Sequence, residues 1–322
     1  MRTTVHDVAR AAGVSVSTVS RALTGGTVSA ATRQAVIEVA TRLGYQPNRA
    51  ARGLITGRTG NLGLIVPDLR NPFFAEVAKG VSARARAVDC GVFITDTDED
   101  PVAELEAIAV LGRNTDGLLL CSPRAADADL LAAADPATTV LLHRRVPGMS
   151  SVVADVAGGI RQAVGHLRAL GHRRIGYVHG PEDSWAARQR VAALAELDGD
   201  GLEILRLGSV GPTFEGGLLA GDLVLASPAT AVLAYNDLVA LGLLHRLAAR
   251  GAAVPERLSV VGFDDVSLAA MSHPPLTSVA VPKDRAGAVG LDLLLGRSGV
   301  AGSEMVLPTG LVVRASSGVV PT

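Results

Sequence analysis

Lysine is nearly missing from this 322-residue sequence: it occurs at Lys79 and Lys283 and nowhere else. Neither follows a glycine, which excludes the Gly-Lys-Ser/Thr loop that cradles nucleotide phosphates. Cysteine is as scarce. Cys90 and Cys121 stand alone in apolar stretches, so buried thiols are expected rather than a disulfide or a metal site. Only nine aromatics are present (one Trp, three Tyr, five Phe), and the seven histidines are scattered singly. G-x-G-x-x-G, G-x-S-x-G and H-E-x-x-H are missing, so cofactor, metal and hydrolase readings begin weak. No run approaches 18 apolar residues, and the start, Met1 to Asp7, has no apolar signal region. A membrane span and export are not expected, and the cytoplasm is the expected location.

What is present is ample apolar material, 48% of residues, and enough length for two or three domains. The net charge of −1 argues against a nucleic-acid partner only as an average. Residues 1–58 carry eight arginines against two acids, a balance of +6; the remaining 22 bases and 29 acids give −7. A basic head on an acidic body is the asymmetry of a nucleic-acid-binding module joined to a soluble core. All the basic residues of the head are arginine, which contacts phosphate and guanine bidentately.

The head reads as helices. Thr4-x-x-Asp7 is a capping box, with Val8, Ala9 and Ala12 behind it as an apolar face. Gly13-Val14-Ser15 supplies a turn and a second cap, and Val16–Leu23 a second helix. Two short helices around a glycine turn form a helix-turn-helix, whose second helix enters the major groove with its first residues on base edges. Val16, Ser17 and Arg21 occupy those positions, flanked by Thr4, Ser15 and Thr18. A third helix, capped by Ser29, is predicted over 30–43 with Ala31, Val36, Val39, Ala40 and Leu43 inward and Gly44 as its stop.

The next stretch, 46–58, begins Gln46-Pro47-Asn48-Arg49 and allows only about two helical turns, too short to hold alone. It reads as a hinge ordered by DNA, with Asn48, Arg49 and Arg52 near phosphates. Leu54 either wedges into a minor-groove base step or packs on the core.

From Asn61 on, apolar runs (62–66, 92–95, 117–120, 140–142, 175–178, 204–207, 231–234, 260–263) alternate with helical stretches (73–88, 102–111, 160–170, 185–197, 237–249, 284–295). The pattern means parallel sheets covered on both faces. It runs twice, which predicts two doubly wound lobes with a ligand cleft at the carboxyl ends of the strands. Asn71, Phe73 and Phe74 follow the first strand, the two rings being either core or ligand platform. Arg190, Asn236 and Asp264 fall at strand ends or in the next helix of the second lobe. Asp264 could equally cap a helix or pair across the lobes.

Thr4-Val5-His6-Asp7-Val8-Ala9, Ala12-Gly13-Val14-Ser15, Thr18-Val19-Ser20-Arg21, Val28-Ser29 and Gly44-Tyr45-x-Pro47-Asn48, continued by Asn71-Pro72-Phe73-Phe74, Asp116-Gly117-Leu118, Gly171-His172-Arg173, Asn236-Asp237 and Gly262-Phe263-Asp264-Asp265, resemble the lactose-repressor (LacI/GalR) family over essentially the whole chain. The resemblance implies a helix-turn-helix domain at 1–45, a hinge at 46–58 and a periplasmic-binding-protein-like core at 59–322. In that core, lobe 1 is expected at about 59–156 plus 283–303 and lobe 2 at about 157–281 plus 304–317. It implies a homodimeric regulator that binds as a repressor to a pseudo-palindromic double-stranded operator. It makes Leu54 the intercalator, and it implies effector contacts from Asn71, Phe73, Phe74, Arg144, Arg190, Asn236 and Asp264.

The sequence departs from the family in His143, where an acid is common in sugar-binding members, in Pro212 and Pro282 where other side chains contact effector, and in a shortened 198–201 segment. Trp185 either supplies a stacking face instead or simply packs. A sugar or derivative is the expected effector, with a nucleoside or polyol as the alternative. Two other classes fit the body: a solute-binding protein, which would need an export signal and has no use for the head, and a sugar-modifying enzyme, which needs an acid-base pair or cofactor loop that is not evident.

Overall fold

The computed structural model describes residues 3–24, 26–45, 58–296 and 302–321. Asn48, Arg49, Arg52 and Leu54, the hinge residues expected at DNA, lie outside the described residues. The chain divides into two compact units, Met1–Gly60 and Asn61–Thr322.

The first unit is three helices: α1 (Val5–Ala12), α2 (Val16–Thr24) and α3 (Ala30–Arg42). The Thr4 side chain accepts from the Asp7 N–H, and the Asp7 carboxylate accepts in return from the Thr4 N–H, so the capping box is complete. Gly13 ends α1 in the left-handed region, φ 68°, where a side chain would be strained. Ser29 accepts from the Thr32 N–H and starts α3. Val8, Ala9, Val19, Ala22, Val36, Val39 and Ala40 make a small core. Ala31, expected inside, is exposed: at 100° per residue it lies roughly 140° round the helix from Val36.

The second unit is two six-stranded sheets. The first lobe winds β1 (Asn61–Val66), α4 (Pro72–Ala87), β2 (Gly91–Asp96), α5 (Pro101–Asn114), β3 (Leu118–Cys121), α6 (Asp127–Ala133), β4 (Thr139–Leu142) and β5 (Ser150–Ala154). The second winds α7 (Val156–Ala169), β6 (Arg174–His179), α8 (Trp185–Ala195), β7 (Glu203–Ser209), α9 (Phe214–Ala226), β8 (Ala231–Ala234), α10 (Asp237–Ala249), β9 (Ser259–Asp264), α11 (Ser267–Met271) and β10 (Thr277–Ala280). Helix α12 (Lys283–Leu295) returns to pack on α4, and β11 (Glu304–Leu307) and β12 (Gly310–Val312) follow. Strand orders are β11-β5-β4-β3-β1-β2 and β12-β10-β9-β8-β6-β7. Every pairing is parallel except β12 on β10.

One expected boundary is corrected. The resemblance places residues 304–317 in lobe 2, but β11 pairs with β5 at the edge of the first sheet, Val306 opposite Val153. The chain changes lobe only after Leu307. Three links therefore join the lobes among the described residues: at Asp155, at Val281–Pro282 and at 308–309. Two are tied together, because the Thr309 hydroxyl donates to the Asp155 carbonyl at 2.9 Å.

Each lobe seats a pair of helices in backbone contact. A Cβ on Gly80 of α4 would lie 2.0 Å from the Asp284 carbonyl oxygen, and one on Gly287 of α12 would lie 2.4 Å from that of Val77. In the second lobe, a Cβ on Gly217 of α9 would meet the Val239 carbonyl at 2.1 Å, and one on Gly242 of α10 that of Phe214 at 2.0 Å. No larger residue fits without separating the helices. Gly242→Ala should therefore cost about 2–3 kcal/mol by overpacking. Gly165→Ala, on α7 with open space around its Cβ, should stabilise by about 0.5–1 kcal/mol. Urea denaturation of both variants checks the contrast.

Candidate functional site

In the first unit the opening turn of α2 is organised by side chains. The Ser15 hydroxyl accepts from the Thr18 N–H at 3.1 Å and lies 2.8 Å from the Ser17 hydroxyl and 2.9 Å from that of Thr18. Ser15, Ser17 and Arg21 are exposed, and Arg21 donates from Nε to the Ser17 carbonyl at 3.3 Å, which holds the guanidinium along the helix. Val16 is half-buried and packs on the three-helix core, so it presents only part of its surface. Thr4 is exposed but occupied by Asp7. Not every arginine of the head is free for phosphate: Arg33 donates to the carbonyls of Ala22 and Gly26 at 3.3 and 2.8 Å and so caps the end of α2.

The second unit contains a cavity of about 680 Å³, including its open mouth, at the carboxyl ends of both sheets. Asn71, Phe73, Phe74 and Arg144 reach it from the first lobe; Trp185, Arg190, Asn236 and Asp264 reach it from the second. The structure thus brings all eight expected effector residues together. The strands end here in strained backbone: Asp98 (φ 50°) and Glu99 (φ 63°) after β2, Ser122 (φ 47°) after β3, His143 (φ 58°) after β4, and Asp264 (φ 110°) closing β9. Such conformations cost about 1–3 kcal/mol each and concentrate where side chains must be aimed.

Arg190 and Asp264 form the centre. The guanidinium lies 3.9 Å from the Phe263 ring centroid and 4.6 Å from that of Tyr235, with the Asp264 carboxylate 3.5 Å away. Both side chains are less than a tenth exposed. Burial pushes the Asp264 carboxyl up to about 6, against the downward pull of Arg190 and Lys283. The Lys283 ammonium also donates to the Asp264 carbonyl at 2.6 Å, which helps hold the left-handed backbone there. Burial, with Arg190 and Lys283 adding to it, takes the His143 imidazole down to about 4, so the ring is neutral at pH 7. It packs edge-on against Phe73, centroids 4.9 Å apart.

Several expected contacts are already committed within the protein. Arg144 donates to the carbonyls of Pro123 and Ala125 at 2.6 and 2.7 Å and to the Asp127 carboxylate, leaving its buried Nε without a partner. The Asn236 Oδ1 caps α10 by accepting from the Val239 N–H, and its amide donates to the Pro212 carbonyl, both at 2.9 Å. It shapes the wall. Asn71 also caps its helix, accepting from the Phe73 N–H at 3.0 Å. Phe73 and Phe74 are both buried and both line the cavity, edge to face at 5.1 Å, which serves core and cleft at once. The Trp185 ring stands 5.9 Å from the Arg145 guanidinium of the first lobe.

Sequence reading missed Glu99, Ser122, Arg124, His143 as a wall residue, Tyr235 and Phe263. Glu99 accepts two hydrogen bonds from Arg124, and the Tyr235 hydroxyl lies 2.9 Å from that of Ser184. Each follows or ends a strand, so a search restricted to strand ends would have found them. No group of three or more His, Cys, Asp or Glu side chains that could hold a metal occurs among the described residues, and none of their helices is long and apolar enough to cross a membrane.

A helix-turn-helix unit in the same chain as a two-lobed cleft defines a class: DNA-binding regulators answering to a small ligand. Residues 4–48 match the bacterial regulatory proteins of the lacI family, and residues 164–317 match the periplasmic binding protein-like domain. The HTH-type transcriptional regulator DegA of Bacillus subtilis (strain 168) is 34% identical, with 98% of each chain covered. Among solved structures, the lac repressor dimer bound to operator and the anti-inducer ONPF superimposes with a TM-score of 0.86 at 26% identity, covering 99% of this chain and 100% of that one. The transcriptional regulator CelR–cellobiose complex does so with 0.69 at 31%, covering 98% and 100%. The chain belongs to the LacI family and is a DNA-binding transcriptional regulator; the relatives it matches are regulators, not enzymes.

Removing one partner of a buried pair leaves an uncompensated charge, at about 3–5 kcal/mol. Arg190→Met should destabilise the core by about that amount at pH 8. Asp264 then holds its proton to a still higher pH when folded than the ordinary 3.8 when unfolded, so the folded form binds more protons and stability falls as pH rises. The penalty should shrink at pH 5, and denaturation of both proteins at the two pH values checks it.

Proposed function

We propose that this protein is a repressor that acts in the cytoplasm as a homodimer on a pseudo-palindromic operator and is released or reinforced by a neutral, hydroxyl-rich effector in the interlobe cleft. The observation that carries the reading is that the expected effector residues of both lobes line one cavity in a chain that also holds a helix-turn-helix unit. Ser17 and Arg21 present base-reading groups, with Ser15 and Thr18 organising the same turn and Thr4 capping α1, and the hinge residues Asn48, Arg49, Arg52 and Leu54 add backbone and minor-groove contacts.

The electrostatics favour a neutral effector. Arg124 is paired with Glu99, Arg144 with Asp127 and Arg190 with Asp264. No cation in that set is in surplus to attract an anion. What such paired groups offer is alternating donors and acceptors, which suit a sugar, polyol or nucleoside. Phe73, Phe74 and Trp185 add ring faces. The cellobiose bound by CelR supports the sugar within that class.

Self-association has support in exposed apolar groups, Phe93 and Ile94 on the first lobe and Leu219 and Leu223 on the second. Two-fold symmetry in the protein would match two half-sites in the operator. The effector acts only through a difference in affinity between two lobe arrangements, one of which suits DNA.

Trp185 is the sole tryptophan and lines the cleft, so its fluorescence reports occupancy directly. Titration with cellobiose, ribose, ribitol and cytidine should change it for at least one. Asp264→Asn should lose that response by at least tenfold in affinity while operator binding stays within about twofold; equal loss of both would place Asp264 outside the effector site. Operator binding should weaken with salt at a slope of about −0.9 per phosphate contacted. A flat dependence would contradict recognition by the arginine-rich head.

A further inference from the structure

Lys283 is one of two lysines in the chain and is 5% exposed. A buried ammonium is tolerated only where oxygens take the place of its water. Here the oxygens come from both lobes. From the start of α12, in the first lobe, Lys283 reaches the end of β9 in the second. It donates there to the Asp264 carbonyl at 2.6 Å and to the Asp265 carbonyl at 2.9 Å. Back in the first lobe, the Glu76 carboxylate of α4 lies 3.3 Å from the same nitrogen. Neither Lys283 nor Glu76 lines the interlobe cleft. The Glu76 side chain is 34% exposed and opens instead on an outer groove between α4 and α12.

Asp264 and Asp265 are consecutive residues at φ 110° and 51°. Two side-chain-bearing residues stay in that region together only where the surroundings over-determine the backbone. The surroundings do so. Besides Lys283, the Asp264 carbonyl accepts from the Val281 N–H at 3.4 Å. The Asp265 N–H donates to the Ser278 hydroxyl at 3.1 Å, and the Val266 N–H to the Asp237 carboxylate at 2.8 Å. Of these anchors only Lys283 belongs to the first lobe.

The same ammonium acts on the Asp264 side chain through its charge. Arg190 of α8 and Lys283 pull the Asp264 carboxyl down against burial, and Glu76 pushes it up. The other ionisable groups around it are occupied or neutral. Burial drives the Asp237 carboxyl well up, His143 is neutral at pH 7, and the Asp265 carboxylate is paired with Arg314 at 2.7 Å. Helix α11 and strand β10 carry no charged side chain. Glu76 therefore acts on Asp264 with the opposite sign to Lys283.

We propose that Lys283 is a positioning residue of the effector site, fixing across the interlobe link the backbone that aims Asp264 and, with Glu76, setting how strongly Asp264 accepts hydrogen bonds from an effector. An ionised carboxyl only accepts, whereas a protonated one must also donate, so the balance between the two flanking charges selects which hydroxyl pattern fits. A charge on the outer groove is in this way read inside the cleft. The role rests on Asp264 being an effector contact.

Two measurements on the full-length, ligand-free protein test it. Hydrogen exchange read by mass spectrometry over residues 264–270 should run at least tenfold faster in Lys283→Met and stay within twofold of the wild type in Glu76→Gln, with residues 118–121 of β3 unchanged in both. NMR of aspartate labelled with carbon-13 at its side-chain carboxyl then follows Asp264, its signal identified by its loss in Asp264→Asn. The midpoint, about 6 in the wild type, should rise by about one pH unit in Lys283→Met and fall by about half a unit in Glu76→Gln. Glu106→Gln, an exposed acid on α5, should leave it in place. Unchanged exchange in a folded Lys283→Met protein, or midpoints that move the same way in both variants, would overturn the proposal. Should Lys283→Met fail to fold, Glu76→Gln decides alone, and a midpoint that stays or rises there sinks the idea. Neither readout uses an effector, so a failed sugar titration bears on the effector reading alone.

Discussion

The core is arranged around one guanidinium. Arg190 lies against the rings of Tyr235 and Phe263, with the Asp264 carboxylate at its edge. A charge with so little exposure is tolerated only with a partner and polarisable faces around it. Those requirements fix much of the surrounding structure. Phe263 and Asp264 must end one strand together, the backbone at Asp264 must turn into the left-handed region, and Lys283 must arrive from the far side of the interlobe link to hold that turn. Gly180 belongs to the same set, since a Cβ there would strike the Tyr235 ring at 2.4 Å. A ligand entering the cleft meets groups whose orientation is already settled, so binding need not order them first.

Most of this arrangement was legible before the structure, for physical reasons that differ by region. Helix starts were readable because caps are local: Thr4 with Asp7, Ser15, and Ser29 each satisfy a backbone donor within three residues. Central strands such as β3 and β8 were readable because both faces are buried and the sequence is continuously apolar. Two of the strands that escaped notice, β5 and β10, carry polar residues inside. Thr277 and Ser278 of β10 are fully buried because Ser278 donates to Asp237 and Thr277 to the Arg314 carbonyl, partners 37 or more residues away that no local pattern reveals. Helix α9 escaped for a related reason. Gly216, Gly217 and Gly221 argue against a helix on propensity, and Gly217 is required by the approach of α10.

The site shows the same division. Residue types at strand ends pointed to the cleft, but which polar atoms are free depends on three-dimensional pairing. Arg144 and Asn236 line the cavity yet spend most of their hydrogen bonds on the protein's own carbonyls and a helix end. Arg33 in the head is likewise a cap for α2 rather than a spare positive charge. Counting arginines therefore gives the sign of a surface and overstates the number of groups available on it.

The three links between the lobes have a mechanical consequence. Each is only one or two residues long, and two are pinned to one another through Thr309 and Asp155. Two rigid plates joined by short parallel straps bend about the line of the straps far more easily than they slide or twist. The separation of the lobes is then described by a single angle. A ligand gripped from both sides sets that angle, so molecules of different shape are sorted by how far they let the plates close.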